Sequence, residues 1–218
     1  MKTKSHVQEL RDRARKQISD GALTLDYQLD PEEAIGMLNE ALATEIVCVL
    51  RYRFHYFTVT GIHSAAAAAE FLEHSNQEQQ HADTIAARIK QLGGKPEMNP
   101  AVISQLSHSE YKEGTTLVEM LKENLIAERI AIESYREMID YFGDRDPTTR
   151  RMLEEILAVE EDHADELADL LFAMAPDGAS TRRLYFSDEI PAKATAETTE
   201  GDTPSAAKAA AGQRKGGK

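Results

Sequence analysis

The chain contains the sequence Glu78-Gln79-Gln80-His81, and it repeats the same pattern in Glu160-Glu161-Asp162-His163. In each case a carboxylate precedes an imidazole by three residues, a spacing that puts both side chains on one face of an α-helix. Both motifs lie midway through long amphipathic segments, whose apolar faces point toward a core. The sequence therefore predicts helices that carry metal-binding groups on their buried faces.

Four such amphipathic segments predict an all-α fold. They cover about residues 31–60, 64–92, 115–142 and 147–175. The first begins after the capping residue Asp30, with Pro31 in its first turn. The second ends at Gly93-Gly94, a strong stop signal. No segment alternates apolar and polar residues convincingly with the period of two that is typical of a half-buried strand.

The lengths of the connections predict how these helices are arranged. Only a few residues join the first helix to the second and the third to the fourth, so each pair should be antiparallel neighbours. A helix of about 28 residues is roughly 42 Å long, and the longer link over 93–114 can span up to about 70 Å. This predicts an antiparallel four-helix bundle with one long crossover between the second and third helices.

Two further glutamates lie midway along the remaining helices, inside their apolar stripes. A buried carboxylate without a partner costs several kcal/mol or a large pKa shift. Side chains at mid-helix lie level with one another whichever way the helices run, so all four helices can contribute to one site. The predicted ligands of a dinuclear carboxylate metal site are Glu45, Glu78, His81, Glu128, Glu160 and His163. Oxygen and imidazole ligands favour iron or manganese.

Ordinary structural roles are also open for these residues. Glu45 and Glu128 would then pair with Arg129 or Arg136, and the histidines would be interior residues. His74 lies one turn before Glu78 and is either an accessory metal contact or a polar core residue.

The order Glu, ExxH, Glu, ExxH over residues 45–163 resembles the ferritin superfamily, in particular bacterioferritin and Dps-like ferritins with a bacterioferritin-type di-iron site. The spacing of Glu45, Tyr52 and His55 and the EExH motif at 160–163 agree with that resemblance, which covers about residues 31–175. It implies a ferritin-like fold, a di-iron centre and a Tyr52 that supports a ligand through a hydrogen bond. The family pattern suggests Glu78 and Glu128 as the bridging carboxylates, although spacing alone does not decide this.

Three departures from the family pattern refine these expectations. Gln79 occupies the position where bacterioferritins carry the methionine that ligates haem, so no haem is expected. The single cysteine, Cys48, cannot form the cysteine pair that Dps-like ferritins usually carry near their site. Residues 176–218 show no fifth amphipathic helix, which favours a homo-oligomeric shell of 12 subunits over one of 24.

The resemblance implies iron storage and detoxification by a ferroxidase, in which dioxygen or hydrogen peroxide oxidises Fe(II) to Fe(III). A manganese catalase or another di-metal peroxidase is the first alternative. The second is a Dps-like shell that binds DNA through basic ends at residues 1–17 and 205–218.

Composition sets the remaining expectations. Residues 31–176 hold 27 acidic and 12 basic residues, so the body of the protein should attract cations rather than nucleic acid. No apolar run approaches the roughly 18 residues of a membrane span. The N-terminal stretch contains no apolar segment of the kind found in secretory signals. We therefore expect a cytoplasmic protein with no membrane partner. We also expect a basic flank at 1–30, the bundle at 31–176 and a disordered tail at 177–218.

Overall fold

The computed structural model describes residues 5–16, 18, 21–62 and 64–174. They form six α-helices, and no strand occurs among them. The helices are α1 (His6–Ala14), α2 (Pro31–Thr58), α3 (Ser64–Gln91), α4 (Pro100–Leu106), α5 (Leu117–Phe142) and α6 (Pro147–Ala173). The expected tail at 177–218 lies outside the described residues.

Local sequence signals explain where the long helices begin and end. The Asp30 side chain accepts a hydrogen bond from the Glu32 amide and caps α2, whose first residue is proline. Thr116 and Glu119 form a reciprocal capping box at the start of α5. After α3 the backbone takes a positive φ of 80° at Gly93, a conformation that glycine adopts without steric cost.

Two apolar clusters show the relative directions of the four long helices. One contains the beginnings of α2 and α6 together with the ends of α3 and α5; its buried members include Leu38, Leu153, Ile89 and Phe142. The other contains the opposite parts of the same helices, with Phe71, Leu121 and Leu167. Helices α2 and α6 therefore run one way and α3 and α5 the other. This confirms the predicted all-α bundle with its crossover between the second and third long helices.

The crossover is fixed to the bundle by buried polar groups. Arg51 of α2 is 1% exposed and donates to the Asn124 side chain at 2.9 Å and to the Glu110 carbonyl at 3.1 Å. His55 lies 2.6 Å from the Glu113 carbonyl through Nε2 and 3.0 Å from the Asn124 amide through Nδ1. Within the crossover, α4 packs on α2 through Ile103.

The segment before α2 also contributes to packing. Leu29 is buried in the cluster formed by the beginning of α2, and the Tyr27 hydroxyl donates to Asp146 at 3.0 Å. Arg88 donates two hydrogen bonds of 2.9 Å to the same carboxylate. None of the described helices is long and apolar enough to cross a membrane.

Candidate metal centre

The predicted ligands all lie at the middle of the bundle, between the two apolar clusters. Each of the four long helices contributes at least one of them, because each carries its glutamate near mid-length. All six side chains are buried: Glu45, Glu78, Glu128, Glu160 and His163 are at most 1% exposed, and His81 is 8% exposed. The structure thus brings together the complete predicted set.

The ligand atoms form two overlapping groups. In the first group, atoms of Glu45, Glu78, His81 and Glu160 lie within 4.8 Å of one another. In the second, atoms of Glu78, Glu128, Glu160 and His163 do the same. The His81 Nδ1 atom is 2.9 Å from Glu160 Oε1, and His163 Nδ1 is 3.4 Å from Glu78 Oε1. Two adjacent metal positions with three carboxylates and one imidazole each fit this arrangement.

The carboxylates shared by both groups are Glu78 and Glu160. The family pattern suggested Glu78 and Glu128 as the bridging pair, which stays a prediction, whereas the distances between ligand atoms favour Glu78 and Glu160. Glu128 belongs to only one of the two groups, as Glu45 belongs only to the other. The shared carboxylates therefore come from the two ExxH helices, and the lone glutamates of α2 and α5 complete opposite ends of the centre.

Two tyrosines hold the lone glutamates in a crossed arrangement. The Tyr52 hydroxyl, on α2, donates to Glu128 Oε1 on α5, and the Tyr135 hydroxyl, on α5, donates to Glu45 Oε1 on α2. The family resemblance predicts the supporting role of Tyr52 but not that of Tyr135. The signal was present, since each tyrosine follows the glutamate of its own helix by seven residues.

The alternative partners of the lone glutamates are not used. Arg136 forms an ion pair with Glu161, and both of these side chains are about half exposed. Arg129 is exposed to solvent. Both lone glutamates instead accept hydrogen bonds from tyrosine hydroxyls inside the bundle. The arginine pairing considered from the sequence is therefore wrong.

The orientation of His163 suits a metal ligand. Its Nε2 lies 2.7 Å from the Gln77 side-chain oxygen, which can only accept, so Nε2 carries the proton that is donated. In the neutral ring Nδ1 then has a free lone pair directed at the carboxylates. A polar partner that fixes the tautomer in this way is usual for metal-binding histidines.

Most of the buried polar side-chain atoms without a hydrogen bond, among the described residues, belong to the predicted ligands. Nine such side-chain atoms occur in the described part of the chain, and seven belong to the predicted ligands. The seven are Glu45 Oε2, Glu78 Oε1, His81 Nδ1, Glu128 Oε2, both oxygens of Glu160 and His163 Nδ1. The close approaches of the His81 and His163 Nδ1 atoms to carboxylates are therefore not aligned as hydrogen bonds. Such atoms are costly unless a cation satisfies them.

The pKa values reflect a surplus of negative charge. Burial and the nearby Glu78 charge raise the pKa of Glu45 to about 8. Burial and the charges of Glu78 and Glu160 likewise raise the pKa of Glu128 well above its ordinary value. Burial lowers the pKa of His81, but the carboxylates around its ring outweigh this and raise it to about 12. Two divalent cations would balance four carboxylate charges, so the residues fit a dinuclear site.

Comparison with known proteins identifies the family. A family model described as the ferritin-like domain matches residues 35–174. The nutrient stress-induced DNA-binding protein of a Synechococcus strain is 30% identical over an alignment of 166 residues, which covers 74% of this chain and 91% of that protein. Bacterioferritin of Rhodobacter capsulatus is 32% identical over 136 residues, or 62% of this chain and 80% of that protein.

A solved structure supports the same assignment. The dodecameric thioferritin of Bacteroides fragilis, described as a bacterioferritin-related protein, is 35% identical to this chain, with a TM-score of 0.64. The match covers 66% of this chain and 87% of that one. These findings confirm the resemblance drawn from the paired ExxH motifs: the chain belongs to the ferritin-like domain family.

Proposed function

We propose that this protein is a ferroxidase that binds two Fe(II) ions as substrate among the six ligands and oxidises them to Fe(III). The observation that carries the proposal is the pair of overlapping ligand groups, which share Glu78 and Glu160 and contain seven buried atoms without hydrogen bonds. Hard oxygen ligands with one imidazole per position suit iron in both oxidation states.

The protein groups hold the two substrate ions close together and supply negative charge that favours the ferric product. Each Fe(II) ion gives up one electron, and one dioxygen molecule with two protons takes up both and leaves as hydrogen peroxide. With hydrogen peroxide as oxidant, two electrons and two protons give two water molecules. Glu45 would bind one iron ion and Glu128 the other. Hydrogen bonds from Tyr135 to Glu45 and from Tyr52 to Glu128 keep these carboxylates in position.

Glu128→Ala tests the proposal directly. The variant should lose the fast growth of ferric absorbance when dioxygen is added to protein loaded anaerobically with Fe(II), because one metal position loses a ligand. Glu133→Gln is the matched control, since it alters an exposed carboxylate of the same helix. If the unaltered protein oxidises Fe(II) no faster than protein-free buffer, the proposed function is wrong.

We further propose that the protein stores the oxidised iron inside a homo-oligomeric shell. The dodecameric thioferritin with which this chain shares 35% identity supports a shell of 12 subunits over one of 24. Native mass spectrometry should give the mass of twelve chains of 24.2 kDa each, with additional iron after growth in iron-supplied cells. A monomer or dimer would contradict the storage role while leaving the oxidation chemistry open to separate measurement.

DNA binding is a second candidate function, and a specific feature of α1 favours it. Arg11, Arg13 and Arg15 are all exposed on this short helix or at its end, and the Synechococcus relative is named a DNA-binding protein. A gel shift at low salt should then weaken when these arginines become alanine, or when residues 187–218 are removed. Absence of any shift at low salt would refute this candidate.

A manganese catalase remains the enzymatic alternative, because the same ligands accept manganese. Oxygen release from hydrogen peroxide by manganese-loaded protein, without oxidation of added Fe(II), would favour it over the ferroxidase.

A further inference from the structure

One arginine of α2 is buried in the interior of the bundle. Arg51 is 1% exposed, and among the residues that the structure describes it is the only arginine or lysine that is buried. A guanidinium group keeps its positive charge at every physiological pH. Removing such a charge from water is costly, so an arginine at this position needs either a structural or an electrostatic role.

The hydrogen bonds of Arg51 involve no negative charge. Its side chain donates to the Asn124 side-chain oxygen and to the Glu110 carbonyl, and Nη2 lies 3.3 Å from Cys48 Sγ. Burial raises the pKa of the Cys48 thiol well above its ordinary value, so this thiol stays protonated. All three acceptors are therefore uncharged, and the positive charge of Arg51 is not balanced by them.

The buried negative charge in the described part of the chain belongs mainly to the metal centre. The buried carboxylates there are the four predicted glutamate ligands and Asp146. Arg88 donates two hydrogen bonds to Asp146, which leaves the centre as the buried counter-charge of Arg51. Burial lowers the pKa of Arg51, but interactions that include the charge of Glu128 outweigh this and raise it.

Tyr52 connects Arg51 to one end of the centre. The guanidinium carbon of Arg51 lies 5.9 Å from the centroid of the neighbouring Tyr52 ring. The hydroxyl of the same tyrosine donates to Glu128 Oε1. Of the two overlapping ligand groups of the centre, Glu128 belongs to the one with His163. The positive charge of Arg51 should therefore act mainly on this metal position.

The other end of the centre lacks an equivalent charge. Ser134, an uncharged residue, occupies the corresponding place before Tyr135, which donates to Glu45. The nearby Arg136 is 60% exposed and forms an ion pair with Glu161. The two metal positions each have three carboxylates and one imidazole, so this buried arginine is a difference between positions that are otherwise alike.

We propose that Arg51 weakens cation binding at the metal position of Glu128 relative to that of Glu45. Like charges repel, and the effective dielectric constant inside a protein is about 20 rather than about 80, so the repulsion is only partly screened. The consequence for turnover rests on the proposed ferroxidase function. A ferric ion carries more charge than a ferrous ion and is repelled more strongly, so oxidised iron leaves the centre from the position of Glu128.

Calorimetric titration of the full chain with Co(II) under an inert atmosphere tests the electrostatic role. The unaltered protein should bind two ions with affinities that differ by about tenfold. Arg51→Gln should strengthen the weaker position by about tenfold, so that the two affinities converge. Arg51→Lys should keep the difference, because it retains the charge while it loses the guanidinium hydrogen bonds.

Arg53→Gln is the matched control for these variants. Arg53 is a half-buried residue of the same helix, and it donates to Ser75 and Asn76 on α3. Its replacement removes the same charge from α2 and should leave both affinities unchanged. An equal effect of Arg53→Gln and Arg51→Gln would overturn the proposal. Equal effects of Arg51→Gln and Arg51→Lys would also overturn it, because they would indicate a packing role.

The order of filling is measured in the unaltered protein, so this result does not depend on the folding of any variant. Crystals that contain one Co(II) ion per chain should show an anomalous scattering peak beside Glu45 and His81. A first peak beside Glu128 and His163 would contradict the proposal.

The outcomes separate this inference from the proposed function. Two Co(II) ions with the expected unequal affinities, in a protein that does not oxidise Fe(II), would support the role of Arg51 and contradict the ferroxidase. Equal affinities in a protein that oxidises Fe(II) rapidly would do the reverse.

A second addition of Fe(II) tests the release of oxidised iron. After two Fe(II) ions per chain have been oxidised, the fast phase should recover in the unaltered protein and in Arg51→Lys. It should recover several-fold more slowly in Arg51→Gln, because this variant holds the ferric product more tightly. Equal recovery in all three proteins would rule out release from the position of Glu128 under the control of Arg51.

Discussion

Replacement of Tyr135 by phenylalanine removes one hydroxyl from the centre and keeps the aromatic ring in the core. That hydroxyl donates to Glu45 Oε1 inside the bundle, and Glu45 Oε2 has no hydrogen bond. A hydrogen bond to a charged group contributes about 1.5–3 kcal/mol. Loss of a partner that orients a metal ligand weakens metal binding by about 10- to 100-fold, which corresponds to about 1.4–2.8 kcal/mol. The two figures agree, so we expect an affinity loss of this size.

The loss should be confined to one metal position. Glu45 belongs to only one of the two overlapping ligand groups of the centre, so Tyr135→Phe should weaken that position and leave the one containing Glu128 nearly unchanged. Tyr52→Phe should do the reverse. Calorimetric titration with Co(II) resolves the separate affinities, and Tyr111→Phe serves as a control because Tyr111 is 45% exposed. Unchanged affinities in Tyr135→Phe, or equal weakening at both positions, would refute the reasoning.

Three further predictions follow from the shared carboxylates and the buried polar network. Glu160→Ala should lose both Co(II) ions of the centre and Glu45→Ala only one, because only the former is shared between groups; metal analysis after dialysis gives the ratio. Arg51→Ala should lower the free energy of unfolding by about 3 kcal/mol, since it leaves buried polar groups without a donor. Urea denaturation measures this change, with exposed Arg129→Ala expected to change the value by less than about 0.5 kcal/mol. Burial lowers the pKa of His55 from 6.5 to about 4, so the unfolded chain binds more protons in that interval and stability should fall as pH drops from 6.5 to 4. His55→Gln should make the urea midpoint less dependent on pH over this interval.

Helix boundaries follow from sequence wherever capping residues are present. The Asp30-Pro31 signal predicts the start of α2 at the residue where it occurs, and Gly93-Gly94 predicts the end of α3 within two residues. Thr116 caps α5, so that helix begins at Leu117 rather than at 115 as expected. Helix α4 escapes prediction because its seven residues are too few to show a helical period.

The site is predictable as a set of residues but not as a network. Mid-helix position and residue type predict the six residues that the structure brings together, because a buried carboxylate without a partner is energetically costly. Which carboxylates belong to both ligand groups depends on the lateral order of the helices. The sequence does not specify that order, so it does not predict that Glu78 and Glu160 are the two. The seven-residue spacing from Glu128 marks Tyr135 in the sequence, but only the packed bundle shows that its partner is Glu45 on another helix.

The crossed tyrosine bonds have a consequence for how the halves of the bundle fit together. Each antiparallel hairpin, α2 with α3 and α5 with α6, supplies one ExxH motif and one lone glutamate, yet each lone glutamate is held by the opposite hairpin. A slip of one hairpin along the other by a single turn, about 5.4 Å, would break both bonds at once. Metal affinity should therefore fall when the two hairpins shift along each other, even if the shift leaves the helical content unchanged.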